Sequence, residues 1–264
     1  MHLVVWTVAN QKGGVGKTTT TIALAGVLAE QGHRVLLVDT DPHASLSYYF
    51  GIESEDLDLS VYELFIQVSS REQILQTLCP TQYPNIDILP ATMGLATLDR
   101  SLSNKEGMGL VLKKAVQKVA ESYDYVLMDC PPVLGVLMVN ALAAADRIII
   151  PVQTEFLALK GLDRMIKTME IMQGEQDDPF TYTIVPTMFD KRTKASILAF
   201  KKLQQDYTNT IWPGVIPVDT NLRNASFAQK VPSDFAASSR GTLAYKSLLN
   251  HLVKQSVMYR EVER

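Results

Sequence analysis

One stretch constrains the fold more than any other: VANQKGGVGKTTTTIALAGVLAEQG, residues 8–32. An apolar run, LVVWTVA (3–9), reads as a strand; a turn carrying Gly13, Gly14 and Gly16 follows, and an alanine- and leucine-rich helix is expected over 17–31. Strand, glycine turn and helix in that order make the context of a phosphate-binding loop. Glycines let backbone N–H groups close around phosphate oxygens where side chains would clash, and the helix N-terminus adds partial positive charge. Lys17 is placed to pair with the β- and γ-phosphates of ATP, and the Thr18 hydroxyl to complete a Mg²⁺ shell. The loop 12–19, with Val15 and Thr19, is the expected nucleotide cradle. Gln11 replaces the first glycine of the general pattern, and a second lysine, Lys12, stands at the mouth. From the residues alone, Lys12 reads either as a solvated surface lysine or as a ligand.

The rest of the chain alternates short β-branched runs with longer helical patterns. Strands are expected at 3–9, 34–39, 86–90, 123–129, 147–152, 182–187 and 214–218, and helices near 17–31, 60–79, 107–122, 133–145, 156–174, 193–208 and 240–259. Several strands are apolar throughout, as strands covered on both faces are. The alternation predicts an α/β fold: a doubly wound, mostly parallel sheet with helices on both faces, in one domain spanning 1–264. At 264 residues with 47% hydrophobic and 20% charged side chains, the chain has the composition of a globular protein. Its net charge of −3 provides no overall field drawing the molecule onto DNA. The two cysteines, Cys79 and Cys130, lack metal-ligand spacing and fit a reducing cytosol. The apolar stretch 133–152 is broken by Asn140, Asp146 and Arg147, so it reads as a buried helix and strand rather than a membrane span. With no basic leader ahead of the first strand, a cytoplasmic location is expected.

Two further strands end in carboxylates. RVLLVDTDPHAS carries Asp39 and Asp41, and YDYVLMDCPP ends on Asp129. Carboxylates past the C-terminal ends of strands face the ligand crevice of an open α/β sheet, and Asp129 stands where such a group binds Mg²⁺ directly or through water. Read without a ligand, the two earlier aspartates are turn or capping residues.

Taken together, KGGVGKTT, DTDPHAS, DCPP, PVQTEFLALKGL, VPTMFDKRT and VIPVD resemble the ParA/MinD family of P-loop NTPases, with their deviant Walker A motif, from Val4 to about Tyr245. The resemblance implies that Lys12 reaches across a two-fold interface to the other subunit's nucleotide, making ATP part of a homodimer. A cation supplied in trans is worth on the order of 10³- to 10⁵-fold in rate where arginine fingers do this. It further implies that Asp41 orients or deprotonates the attacking water, that Asp39 supports the loop and the metal's outer shell, and that Thr187, Met188, Pro217 and Asp219 surround the adenine. His43 stands where the family often carries glutamine, and Lys160 where many relatives have glutamate.

The resemblance implies a slow, partner-stimulated ATPase that positions cargo. Within the family, the first forty-odd residues and FLALKGL look most like the ParA-like group called ParC, which implies placement of chemotaxis arrays with a cargo adaptor and a polar landmark protein. The other reading is plasmid or chromosome partition on nonspecific DNA. Arg240 stands where relatives carry a DNA-binding arginine, and Arg223 and Lys230 are further candidates, against an ordinary solvated set of cations. Location is expected accordingly, nucleoid-associated or at a cell pole. A MinD-like amphipathic last helix, with Tyr245, Leu248, Leu249, Leu252, Val253 and Val257 on one face, is the membrane reading; the same stripe suits a helix packed on the sheet. A metabolic P-loop enzyme would need an acceptor site, for which the sequence gives no signal.

Overall fold

The computed structural model describes residues 3–66, 70–102, 108–174 and 179–262. Seven strands form one sheet: β1 (Val4–Val8), β2 (Val35–Asp39), β3 (Cys79–Pro80), β4 (Ile86–Leu89), β5 (Tyr125–Asp129), β6 (Arg147–Gln153) and β7 (Tyr182–Thr187). Their order is β3-β4-β2-β5-β1-β6-β7, and every pairing is parallel except the two-residue β3 against β4. The expected doubly wound α/β architecture is present.

Each central strand is apolar on both sides because both sides are covered. In β2, Leu36 and Val38 join one core with Val5, Val126, Ile148 and Leu137. Val35 and Leu37 join the other, with Trp6, Val8, Leu24, Leu28 and Leu248. The first helix, Lys17–Glu30, is buried from Thr20 to Leu28, between the sheet and the helices Pro232–Phe235 and Arg240–Val262. Gly26 permits the close approach: a Cβ there would stand 2.7 Å from Val231 Cβ.

β5 lies between β2 and β1, so successive strands run to opposite sides of β1 and a crevice opens at their C-terminal ends. Register then sets the site. Val8 pairs with Asp129, and Asp129 pairs with Asp39, so the phosphate loop begins level with both carboxylates.

Several expectations are corrected. Residues 214–218 form no strand; only isolated bridges link Ile184 to Ile211 and Phe189 to Pro217, because Pro213 and Pro217 cannot donate to a ladder. The 60–79 helix is two helices, Val61–Ile66 and Arg71–Thr77, the second opened by a Ser70–Gln73 capping box; residues 67–69 lie outside the described set, and Cys79 and Pro80 belong to β3. Helices at Ser45–Tyr49, Leu95–Leu102, Thr220–Phe227 and Pro232–Phe235 went unpredicted. Among the described residues no helix is long and apolar enough to cross a membrane; the 133–152 stretch is the helix Val136–Ala144 followed by β6. Tyr245, Leu248, Leu249 and Leu252 are all buried in the core, so the stripe on the last helix packs against the first; the Val257 side chain lies outside the description.

Candidate nucleotide site

The loop after β1 is held open by its neighbours. Asn10 donates from Nδ2 to Pro151 O on β6 at 2.8 Å and accepts from Lys12 N at 2.9 Å. Thr187, at the end of β7, donates to Val15 O at 2.9 Å. Gly14 and Gly16 adopt φ of 73° and 92°, which L side chains resist, so these two glycines are dictated by the backbone. A Cβ on Gly13, Gly14 or Gly16 would meet no protein atom within 4 Å.

The opposite charges of Lys17 and Asp129 act on each other beside the loop. Lys17 is 8% exposed, and its Nζ lies 3.4 Å from Lys12 O. Burial pushes its amine below the ordinary lysine range, against the opposing field of Asp129. Asp129 is buried and accepts from the Thr18 hydroxyl at 2.6 Å; burial, and then the neighbouring Asp39, push its carboxyl up. A buried amine at an open loop and a buried carboxylate beside a threonine hydroxyl suit a polyphosphate and a hard divalent cation. The residues fit both groups.

Asp39 and Asp41 divide their work. Asp39 is buried and accepts from Asp41 N at 3.1 Å, Ser47 N at 2.9 Å and Ser47 Oγ at 2.8 Å. It fixes the turn that carries Asp41. Asp41 Oδ1 accepts from His43 N at 3.0 Å and lies 2.8 Å from His43 Nδ1. Among the described residues nothing hydrogen-bonds Asp41 Oδ2, which leaves that oxygen for a water.

A cleft of about 460 Å³ runs on from the loop. Val15, Gly16 and Thr19 of the loop line it, as do Thr187, Met188, Pro217 and Asp219, the expected adenine residues. Asp219 also caps the Thr220–Phe227 helix through Asn221 N at 2.9 Å and accepts from Gly241 N at 2.7 Å, so its carboxylate is committed to the scaffold. Sequence reasoning missed Ile216, Val218, Leu222, Ser226 and Tyr245 among the lining residues, and Arg223 lines the cleft too. An Asp219 cap followed by Leu222 and Ala225 was the available signal for the helix that carries Leu222 and Ser226.

The remaining candidates lie around this crevice. Lys12 Nζ forms an ion pair with Glu155, just after β6 in the same chain. Arg240 opens the last helix and lines a second cleft with Lys191, Arg192 and Asn221. Arg192 is paired with Asp190 at 2.7 Å, and Lys230 lies 3.5 Å from Asp234.

The family model of an AAA domain matches residues 4–181. The chain is 36% identical over 242 residues to the sporulation initiation inhibitor protein Soj of Bacillus subtilis, covering 91% of this chain and 94% of Soj. It is 33% identical over 249 residues to the chromosome partitioning protein ParA of Myxococcus xanthus, covering 94% and 87% respectively. Among solved structures, cobyrinic acid a,c-diamide synthase from Mycobacterium smegmatis with bound ATP analog and magnesium superposes with a TM-score of 0.81 at 32% identity, over 96% of this chain and 95% of that one.

Proposed function

The chain belongs to the ParA/MinD family of P-loop ATPases, and from that premise we propose that it is a positioning switch that dimerises on ATP, hydrolyses it slowly and then separates. The observation that carries this reading is the level alignment of the open loop, Thr18–Asp129 and Asp41 at the ends of three adjacent strands. ATP with Mg²⁺ is the ligand, consistent with the ATP analog and magnesium of the M. smegmatis structure. In this reading the loop amides and Lys17 hold the phosphates, Thr18 and Asp129 hold the cation, and Asp39 holds the turn beside it. The cation supplies charge neutralisation at the phosphates. Asp41 Oδ2 orients the attacking water.

Lys12 is the coupling element. In one copy it is occupied by Glu155; on association it leaves that carboxylate and pairs with the partner's triphosphate. Loss of the γ-phosphate removes the charge that draws it across, and the dimer parts.

For cargo, the ParC-like residues favour chemotaxis arrays at a pole, met through an adaptor and a landmark protein. Relatives named for chromosome partitioning support partition on DNA equally, with Arg240 and Lys230 on the DNA side. The test is Asp41→Ala protein with ATP or ADP on immobilised DNA across a salt series, with light scattering alongside. An ATP-dependent dimer retained at low salt and released at high salt supports partition; a dimer without retention supports protein cargo; no dimer with ATP overturns the switch.

The name of the M. smegmatis structure favours a second reading, ATP-driven amidation of a small carboxylic acid. That reading requires hydrolysis to depend on an added acceptor and to proceed without a dimer.

A further inference from the structure

The Thr220–Phe227 helix turns one face to the nucleotide cleft. Its cap, Asp219, and Leu222, Arg223 and Ser226 stand at i, i+3, i+4 and i+7, and all four line that cleft. Residues at this spacing share one side of a helix. Arg223 therefore shares a helix face with Leu222 and lines the same cleft as Val15, Gly16 and Met188. Among the described residues it forms no ion pair, whereas Arg192 and Lys230 each have a carboxylate within 4.0 Å. A guanidinium is planar, permanently charged and weakly hydrated, and it stacks on flat π systems. A cleft lined by phosphate-loop residues together with apolar Met188, Pro217 and Leu222 suits a nucleobase next to a phosphate chain.

We propose that Arg223 is a base-clamping residue of the nucleotide site and not a DNA contact: its guanidinium covers the face of the purine. This rests on the nucleotide reading above and deepens it. Arg223 acts on the base, Lys17 on the phosphates, and the two contributions separate by ligand. Arg223 then belongs to both nucleotide states, because ATP and ADP carry the same base; it strengthens binding without helping to distinguish the states.

The experiment is calorimetric titration of wild type, Arg223→Ala and Arg223→Lys with ATP, ADP and inorganic tripolyphosphate, each with Mg²⁺. Loss of an exposed stacking cation should weaken ATP and ADP alike by roughly twofold to fivefold and leave tripolyphosphate unchanged. Arg223→Lys should recover only part, because an ammonium lacks the planar surface. Wild-type affinity for both nucleotides in Arg223→Ala overturns the clamp, as does an equal loss for tripolyphosphate. Reduced DNA retention at saturating ATP, with unchanged ATP affinity, also overturns it and returns Arg223 to the DNA side. Wild-type protein that binds no nucleotide at all would instead sink the nucleotide reading on which the clamp depends.

Discussion

Thr18 donates its hydroxyl proton to Asp129 at 2.6 Å, joining the first turn of the first helix to the end of β5 across 111 residues of sequence. Each is thereby oriented before any ligand arrives. Asp129→Ala should leave nucleotide binding in EDTA within a few-fold of wild type while reducing Mg²⁺-dependent hydrolysis by about a hundredfold or more. Steady-state phosphate release against Mg²⁺ concentration checks this. Hydrolysis by Asp129→Ala at the wild-type rate would remove the carboxylate from the metal site.

The Lys12–Glu155 ion pair must open before Lys12 can serve a second copy. Lys12→Ala should keep ATP binding within a few-fold and lose ATP-dependent dimerisation. Glu155→Gln should lower the ATP concentration needed for the dimer by about twofold to fivefold, the range set by a partly exposed pair. Light scattering of the two variants reads both effects. A dimer unaffected by Lys12→Ala refutes the trans role.

Burial raises the Asp39 carboxyl from its ordinary 3.8 to about 7, against the lowering effect of hydrogen bonds from Ser47 and Asp41. The folded state therefore holds this proton more tightly than the unfolded chain does. The resulting stabilisation is complete below pH 3.8 and is lost as the pH rises through about 7. Nucleotide- and metal-free protein in EDTA should melt a few degrees lower at pH 8 than at pH 6, because Asp39 alone loses about 1 kcal/mol of linkage over that interval and the raised Asp129 carboxyl adds in the same direction. Asp39→Asn should reduce that slope, leaving the part that Asp129 contributes. A melting temperature that climbs over the same interval contradicts the assignment.

Gly26 lies where the first helix meets Val231 and Ser233, and an added Cβ would stand 2.7 Å from one and 3.0 Å from the other. Helix propensity favours alanine over glycine by about 1 kcal/mol, yet overpacking of about 1–3 kcal/mol should win, giving a net loss of up to about 2 kcal/mol in Gly26→Ala. Urea denaturation measures it, and a stabilised variant would show that the Pro232–Phe235 segment yields easily.

The sequence by itself determined the class of fold and the chemistry of the phosphate end. A continuous apolar strand, glycines at Gly14 and Gly16 and the lysine–threonine pair 17–18 are local requirements: positive φ and an open loop need those residue types wherever the loop sits. Strand alternation likewise read correctly, because coverage on both faces leaves a continuous apolar record. Tertiary structure decided the rest. The levels of Asp39 and Asp129 follow from β5 inserting between β2 and β1, a pairing that joins residues far apart in the chain. Lys12 meets Glu155 because β6 flanks β1, and Arg223 meets the cleft because a short helix, capped by Asp219, turns that face inward. Local pattern cannot carry such information, since register and packing are set by the free energy of the whole sheet rather than by any one segment.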